Sequence, residues 1–259
     1  MKIWIYRAIL LAAILVVWQL LAGRVISLFF ISSPLLIAAK FWSILVDGTL
    51  ATNMAVTTGE AVLGFVLGGA AGAAIGLVLG RSRQLAEILD PFIVAFYSLP
   101  KVALAPMFIL WFGIGLQMRV MFTAIIVLFL VFLSTYTGVR NVSRELVTVF
   151  RLMGANERHL MRMVIIPSAF TWIFAGLRLS VPYALIGAIV AEILAGNTGL
   201  GYLVEHAAAE FDTAGVFAAL AGVMILALAL NLAVRLLERW FMPWRTVEET
   251  CAGSRPHSR

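Results

Sequence analysis

The sequence predicts an all-α, polytopic membrane protein with six transmembrane helices in one domain. Of its 259 residues, 63% are hydrophobic and only 12% are charged, whereas soluble domains are roughly 45–50% apolar and about 25% charged. A helix needs about 20 mostly apolar residues to cross the hydrocarbon core of a bilayer, and the chain contains six runs of that kind. Composition and run length together therefore give the fold class.

The six runs are the predicted membrane spans. They extend over about Ile3 to Leu21, Ala55 to Leu79, Ile88 to Phe112, Val120 to Val139, Val164 to Ile193, and Thr213 to Val234. The fourth and sixth contain no charged residue. Lys2 and Arg7 would also suit a signal peptide, but no small-x-small cleavage site follows the first run, which favours a retained helix.

The basic residues are distributed unevenly between the two sides of this topology. With the N-terminus in the cytoplasm, the outside segments hold only Arg24, Lys40 and, at a helix edge, Arg119. The inside segments hold Lys2, Arg7, Arg81, Arg83, Arg140, Arg144, Arg151, Arg158, Arg162, Arg235, Arg239, Arg245, Arg255 and Arg259. Cationic residues resist translocation, so both termini are predicted to be cytoplasmic. The net charge of +6 thus reflects topology, and no basic stripe interleaved with aromatics indicates nucleic-acid binding.

The chain is expected to have three parts. Residues 1–50 hold the first span and a short outer helix, residues 51–245 form the core transmembrane domain, and residues 246–259 form a disordered cytoplasmic tail. Ser33 and Pro34 would start the short helix over Leu35 to Val46, although a plain connector fits equally well. A second short outer helix is predicted over Tyr202 to Phe211, just before the last span.

Five glycines in the second span recur at every fourth residue. They are Gly64, Gly68, Gly72, Gly76 and Gly80. This spacing stacks them nearly along one helix face, where another backbone can approach closely. Packing within the chain is favoured over a subunit interface, although such motifs serve both.

The third span is interrupted by Pro91, Pro100 and Pro106, and Lys101 directly follows the middle proline. A proline removes a backbone donor and bends or breaks a helix, and unwound backbone at membrane depth is tolerated only beside protein or a water-filled cavity. Pro100 and Lys101 are therefore candidates for lining a substrate pathway. The alternative is that Lys101 snorkels or pairs with a buried acid.

Glu60, Arg178 and Glu192 are the other ionisable groups within or at the ends of apolar runs. Charge is costly there and is usually paired or turned toward the bundle interior, which adds Arg178 and Glu192 to the pathway candidates. Glu192 also precedes the turn-rich segment from Gly196 to Gly201. A position at the water interface is therefore favoured for Glu192.

The segment 141–164, which we call the elbow, is too polar to cross a membrane and too regular for a loose loop. It predicts one helix from Glu145 to Met153 and a second from Glu157 to Val164. Gly154 permits a positive φ between them, and Asn156 suits the N-cap of the second helix.

The apolar side chains Leu152, Met153, Leu160 and Met161 are expected to be exposed on the elbow, beside Arg151, Arg158 and Arg162. Such a surface suits the docking of a partner protein. An interfacial helix that binds anionic lipid through the arginines is the alternative.

Several kinds of chemistry are disfavoured by the sequence. It lacks a Gly-x-x-x-x-Gly-Lys-Ser/Thr loop, so the chain cannot itself be a P-loop ATPase. His159, His206 and His257 are scattered, and no His, Cys, Asp and Glu set has metal-ligand spacing. We expect no catalytic residue, metal or cofactor.

At the elbow the sequence resembles the permease subunits of ABC importers, whose hallmark is a cytoplasmic "EAA" loop with a glycine and a proline that opens the next span. The matching stretches are Glu145 to Asn156, Val164 to Ala169 with Pro167, Leu99 to Pro106 with Leu110 to Gly115, and Ala191 to Tyr202. The likeness covers roughly residues 50 to 240 and points to the sulfonate, nitrate and taurine branch. Thr148-Val149-Phe150 replaces the Glu-Ala-Ala triplet, a departure that bears on how strongly an ATPase would dock.

The resemblance implies a type I importer permease in the bacterial inner membrane. Its expected partners are a second copy of the permease, two cytoplasmic ATPase subunits and a periplasmic or lipid-anchored substrate-binding protein, within membrane lipid. The elbow would couple ATP hydrolysis to transport through Glu145, Thr148, Arg151, Leu152, Gly154, Ala155, Arg158 and Pro167. The expected substrate is a small anion such as a sulfonate, taurine or nitrate.

Two other functions fit parts of the sequence. A proton-coupled secondary transporter would use Glu60 or Glu192 as its proton carrier, although no paired interrupted helices mark two inverted halves. A membrane scaffold that transports nothing would use the elbow only to recruit a soluble partner.

Overall fold

The structure is a computed structural model that describes residues 2–81, 83–142 and 144–241. The predicted tail 246–259, with Cys251, lies outside these residues. Twelve α-helices follow one another along the described chain. They are α1 Lys2–Leu21, α2 Leu28–Ile31, α3 Pro34–Val46, α4 Thr49–Arg81, α5 Arg83–Ser98, α6 Ala105–Phe112, α7 Leu116–Arg140, α8 Arg144–Leu152, α9 Glu157–Leu160, α10 Ile166–Ala195, α11 Leu200–Ala209 and α12 Thr213–Phe241.

Five of the described helices are long and apolar enough to cross a membrane, namely α1, α4, α7, α10 and α12. The pair α5 and α6 passes the same test as one interrupted span. The interruption lies at Leu99 and Pro100 and is followed by a 3-10 turn over Lys101–Leu104. The predicted break at Pro100 is therefore confirmed, whereas Pro91 lies inside α5 and Pro106 in the first turn of α6.

The glycine face of α4 packs against α7 within the same chain, as predicted. A Cβ added at Gly72 would lie 2.6 Å from the carbonyl oxygen of Leu128, and one at Gly76 would lie 2.9 Å from that of Phe132. Gly68 and Gly80 face Ala124 and Tyr136 in the same way. Only glycine lets two helix backbones approach this closely.

This contact also fixes the number of crossings. Successive glycines of α4 meet successive turns of α7 in ascending order, so the two helices are parallel. The chain between them must then return through the membrane, and α5 with α6 supplies that passage. The described helices thus contain six crossings.

The helices contribute to two compact units. Among the described residues, the first unit comprises those up to Val62, Val102–Phe122 and Leu185–Leu226. The second comprises those in Leu63–Lys101 and Thr123–Ala184 and those from Ala227 to the end of α12. In the second unit, Val127, Val131 and Ala184 form a buried cluster, and Phe132 and Tyr136 form another. Both include α7, which places that helix at the centre of this core.

The short helices predicted outside the spans are present in the first unit. The Ser33 hydroxyl accepts a hydrogen bond from the Leu36 N–H at the start of α3, as its N-cap position suggests. The Asp212 carboxylate accepts one from the Gly215 N–H at the start of α12 and forms a 2.8 Å ion pair with Lys40 of α3. The chain before α12 is thereby tied to α3.

Replacing Gly76 by leucine should destabilise the fold. The added atoms would meet the α7 backbone, and overpacking of this kind costs about 1–3 kcal/mol or more. Thermal unfolding of the detergent-purified protein measures the effect. Ala74→Leu is the matched control because Ala74 is exposed on the same helix, and equal losses in both variants would contradict the packing role of the glycine face.

The Lys40–Asp212 ion pair should make stability depend on pH. The Lys40 side chain, which donates to the Asp212 carboxylate, lowers the pKa of Asp212, and the Gly215 N–H lowers it further. A lowered folded-state pKa stabilises the protein above the unfolded-state value of about 3.9, and this contribution is lost as the pH falls through the folded-state value.

Asp212→Asn, which keeps a capping side chain, should therefore cost about 0.5–1 kcal/mol at pH 7 and progressively less below about pH 4. Thermal unfolding from pH 7 to pH 3 tests this. Glu205→Gln removes an exposed carboxylate from α11 and serves as the control. A cost for Asp212→Asn that persists unchanged at pH 3 would contradict the ion-pair account.

Candidate functional site

The elbow consists of two short helices joined by a glycine turn. Gly154 has φ +83°, the left-handed conformation that ends many helices. The Ala155 N–H bonds to the Phe150 carbonyl at 3.0 Å and closes the end of α8. The Asn156 side chain accepts a 2.9 Å hydrogen bond from the His159 N–H and caps α9. The predicted positive φ at Gly154 and the predicted cap at Asn156 are both confirmed.

The apolar tip of the elbow is narrower than predicted. Leu152 and Met153 are 83% and 78% exposed, whereas Leu160 is buried. The prediction for Leu160 was wrong because this residue ends α9 on the face that packs inward. Met161 is partly buried. Leu152 and Met153, immediately before Gly154, are thus the most exposed large apolar side chains among the described residues of the elbow.

The other predicted coupling residues lie on α8, on α9, in the turn between them and at the start of α10. Glu145, Thr148, Arg151 and Arg158 are exposed, and Ala155 is partly buried. The backbone of Pro167 lies in the first turn of α10, and its side chain is outside the described part of the structure. A π-helical turn over Met161–Ile165 joins α9 to α10 without a break.

A second group of polar residues is buried in the first unit, and we call it the polar cluster. It consists of Asn53, Thr57 and Glu60 on α4, Arg119 on α7 and Glu192 on α10. Arg119 Nη1 lies 2.7 Å from Glu60 Oε1, and both side chains are less than 10% exposed. Since charge is costly inside a membrane protein, pairing of this kind is expected.

Glu192 is fully buried, so the predicted position at the water interface is wrong. Its Oε1 accepts a 2.7 Å hydrogen bond from the Thr57 hydroxyl, and its Oε2 accepts a 2.6 Å bond from the Gly201 N–H. The segment after α10 turns back over this carboxyl group. The glycines in the segment thus cover Glu192 instead of opening it to water.

The polar cluster holds the segment 196–201 at several points. Asn53 Oδ1 accepts a 2.6 Å bond from the Gly199 N–H, and the Thr57 hydroxyl accepts a 2.8 Å bond from the Leu200 N–H. Arg119 Nη1 donates to the Thr198 carbonyl at 3.1 Å. Gly199 has φ +111°, and a Cβ at Gly201 would lie 2.8 Å from the Glu192 Cβ, which explains both glycines.

Sequence reasoning singled out Glu60 and Glu192 but missed Asn53, Thr57 and the interior position of Arg119. A signal was present, because Asn53, Thr57 and Glu60 follow one another at i, i+4 and i+7 on a mostly apolar helix. That spacing places them on one face. A polar stripe on a membrane helix indicates a buried partner.

The remaining pathway candidates lie in the second unit. Lys101 Nζ donates to the Tyr97 carbonyl at 2.9 Å and lies 4.8 Å and 5.4 Å from the ring centroids of Tyr97 and Phe129. This geometry is a cation–π arrangement. Arg178 is half exposed and lies 3.5 Å from Glu238. Pro100 marks the interruption between α5 and α6. Glu192, by contrast, belongs to the polar cluster of the first unit.

Comparison with known proteins identifies the family. Residues 64–244 match the model of the binding-protein-dependent transport system inner membrane component. The putative aliphatic sulfonates transport permease of Bacillus subtilis (strain 168) is 33% identical over 95% of this chain and 90% of its own length. The riboflavin transport system permease of Chloroflexus aurantiacus is 36% identical over 90% of this chain and 88% of its own length.

The fold agrees with solved structures. A chain from the crystal structure described as an amino acid ABC transporter with histidines has a TM-score of 0.63 at 18% identity, covering 77% of this chain and 97% of that one. Together, the family match over most of the chain, the relatives above 30% identity and the shared fold lead to one conclusion: the chain belongs to the family of binding-protein-dependent transport system inner membrane components, the permease subunits of ABC transporters.

Proposed function

We propose that this permease is driven by a separate ATPase subunit that docks on the elbow and hydrolyses the ATP. The observation that carries the proposal is the pair of exposed apolar side chains, Leu152 and Met153, immediately before the left-handed turn at Gly154. Exposed apolar residues on a basic, structured element suit a protein partner. Glu145, Thr148, Arg151, Ala155 and Arg158 would form the polar rim of that contact.

The elbow is connected to α10 in a way that would transmit a displacement of α9. Gly154 separates α8 from α9, and helical structure then continues from Glu157 through the π turn to Ala195. Pro167, which has no backbone donor, fits the first turn of α10, where a donor is not required. Movement of α9 by the ATPase would therefore shift α10. This coupling requires an element with two arrangements that nucleotide biases differently.

The elbow and both chain termini would face the cytoplasm. Arg81 ends α4 and Arg140 ends α7, and the elbow directly follows α7 along the chain. These arginines agree with the excess of cations on cytoplasmic segments. Residues 51–245 would form the translocating core and residues 246–259 the cytoplasmic tail. The assembly would contain two copies of the permease, two ATPases and an external binding protein that delivers the solute.

The proposed substrate is a small anion such as a sulfonate, taurine or nitrate. One relative is described as a permease for aliphatic sulfonates, although another is described as a riboflavin permease. Lys101 and Arg178 supply positive charge beside the interrupted span and on α10. Pro100, Lys101, Arg178 and Glu192 are the residues that we assign to the pathway. Calorimetry of the partner binding protein against sulfonates, nitrate and vitamin precursors would identify the ligand.

The polar cluster would position the segment 196–201 during transport. Three side chains from α4 and α7, with Glu192, hold its backbone through bonds of 2.6–3.1 Å. Such a network is stiff because every broken contact would leave a buried polar group unpaired. We infer that α11 moves together with this end of α10.

Uptake into vesicles tests the proposed function. An ATP-driven importer requires ATP, the ATPase and the binding protein, and its uptake survives an uncoupler. A secondary transporter would respond to the uncoupler, and a scaffold would transport nothing. Uptake that proceeds without the ATPase would contradict the proposal.

Gly154→Arg should abolish ATP-driven uptake while leaving membrane insertion intact. A left-handed conformation costs a non-glycine residue about 1–3 kcal/mol, and a bulky cation would sit beside the docking tip. In the part of the chain that the structure describes, no atom outside the adjoining residues lies within 4 Å of a Cβ at this position. The effect would therefore come from the backbone and the docking surface. Uptake into proteoliposomes containing the ATPase and binding protein measures it.

Gly154→Asn is the matched control, because asparagine tolerates the left-handed conformation. It should retain most of the uptake. Normal uptake by Gly154→Arg would remove the hinge from the mechanism. Equal loss in both variants would show that glycine is needed there for a reason other than its φ.

Arg119→Met should destabilise the protein by about 3–5 kcal/mol, because it leaves Glu60 buried without its counter-charge. Adding Glu60→Met should restore much of that loss, since apolar groups then replace both members of the pair. Thermal unfolding measures both variants. If the double variant is no more stable than Arg119→Met, the proposed pairing of Arg119 with Glu60 is contradicted. If the double variant is stable and has wild-type uptake, the ion pair has only a structural role.

A further inference from the structure

Three arginines in the second unit converge on one cavity. Arg81 ends α4, Arg158 lies on α9 and Arg162 lies on the π turn, and together they line a space of about 340 Å³. Arg158 and Arg162 are exposed. The cavity is completed by the apolar side chains of Met161 and Ile166, and none of its described lining residues is acidic. Positive charge and an apolar wall therefore share one opening.

The cavity lies where the membrane spans end. Arg81 closes the apolar span of α4, and Ile166 opens α10, whose apolar span begins at Ser168. Apolar side chains close in sequence to the cavity residues are also exposed, including Met163 on the π turn and Phe170 one turn into α10. A molecule that occupied the cavity would have its polar part beside the arginines and its apolar part along α10.

We propose that this cavity binds the phosphate headgroup of an anionic phospholipid. Arginine is well suited to phosphate because its planar guanidinium donates two parallel hydrogen bonds. Met161 and Ile166 would contact the glycerol and the start of an acyl chain. Inorganic phosphate offers the same anionic oxygens, but it has no apolar part to contact Met161 and Ile166 or to extend along the membrane spans. The negative surface potential of such lipids also attracts the arginines of a juxtamembrane segment.

This lipid site differs from the docking tip of the elbow, although Arg158 belongs both to the cavity lining and to the proposed polar rim of the ATPase contact. Leu152 and Met153 lie before Gly154, whereas the cavity residues of the elbow lie after it. The proposal therefore stands without the ATPase. Its consequence is that the second half of the elbow is anchored to the membrane surface while the first half remains exposed.

Lipid binding to the purified full-length chain tests the proposal. Phosphatidylglycerol, phosphatidylcholine and inorganic phosphate are titrated separately, and bound molecules are counted by native mass spectrometry. Phosphatidylglycerol should bind with at least tenfold higher affinity than phosphatidylcholine, and inorganic phosphate should not displace it at equal concentration. The double variant Arg158→Gln/Arg162→Gln should bind phosphatidylglycerol about 30-fold more weakly.

Arg24→Gln/Arg235→Gln is the control, because it removes the same charge from exposed positions that do not line the cavity. Its affinity should stay within about twofold of the wild-type value, because charges away from the cavity contribute little to it. Equal binding of the two lipids, displacement by inorganic phosphate, or an equal loss in the control variant would each overturn the proposal. The two wild-type comparisons decide the matter even if the cavity variant fails to fold.

Discussion

The ion pair between Arg119 and Glu60 is the interaction on which the first unit depends. Arg119 Nη1 lies 2.7 Å from Glu60 Oε1, and this pairing offsets part of the cost of burying a carboxyl group in the membrane. Arg119 also holds the Thr198 carbonyl, and Glu192 holds the Gly201 N–H from the other side. The buried Arg119 thus pairs with a carboxylate of α4 and also fixes the backbone of the segment that follows α10.

The second unit is held together by a different means. Lipid offers no hydrophobic gain for bringing two apolar helices together, so close backbone contact must supply the attraction. Gly68, Gly72, Gly76 and Gly80 let α4 approach the carbonyl groups of α7. Helix α4 thus carries a polar stripe in the first unit and a glycine stripe in the second. The sequence of α4 changes from Asn, Thr and Glu to repeated glycine where the units meet along the chain.

Much of this structure follows from local chemistry and was predictable. The apolar runs, the glycine spacing, the Ser33 cap and the left-handed Gly154 each depend on residues close in sequence. The errors concern contacts between distant segments. Burial of Glu192 requires Thr57, 135 residues away, and burial of Leu160 depends on packing that the short α9 does not reveal. Pro91 could not be distinguished from Pro100 by residue type, although Pro91 lies inside α5 and Pro100 lies at the interruption.

Thr148-Val149-Phe150 replaces the family's Glu-Ala-Ala triplet, but this replacement does not alter the backbone geometry of the elbow turn. These residues lie on α8, before the turn, and the turn itself is closed by backbone bonds from Ala155 and Gly154 to Phe150 and Arg151. Backbone bonds do not depend on the side chains of the triplet. The geometry that presents Leu152 and Met153 is therefore retained, and the altered triplet changes only the surface that a partner would contact. A partner ATPase matched to this chain would need a groove that accepts an exposed Val149 in place of the small alanine of the family pattern.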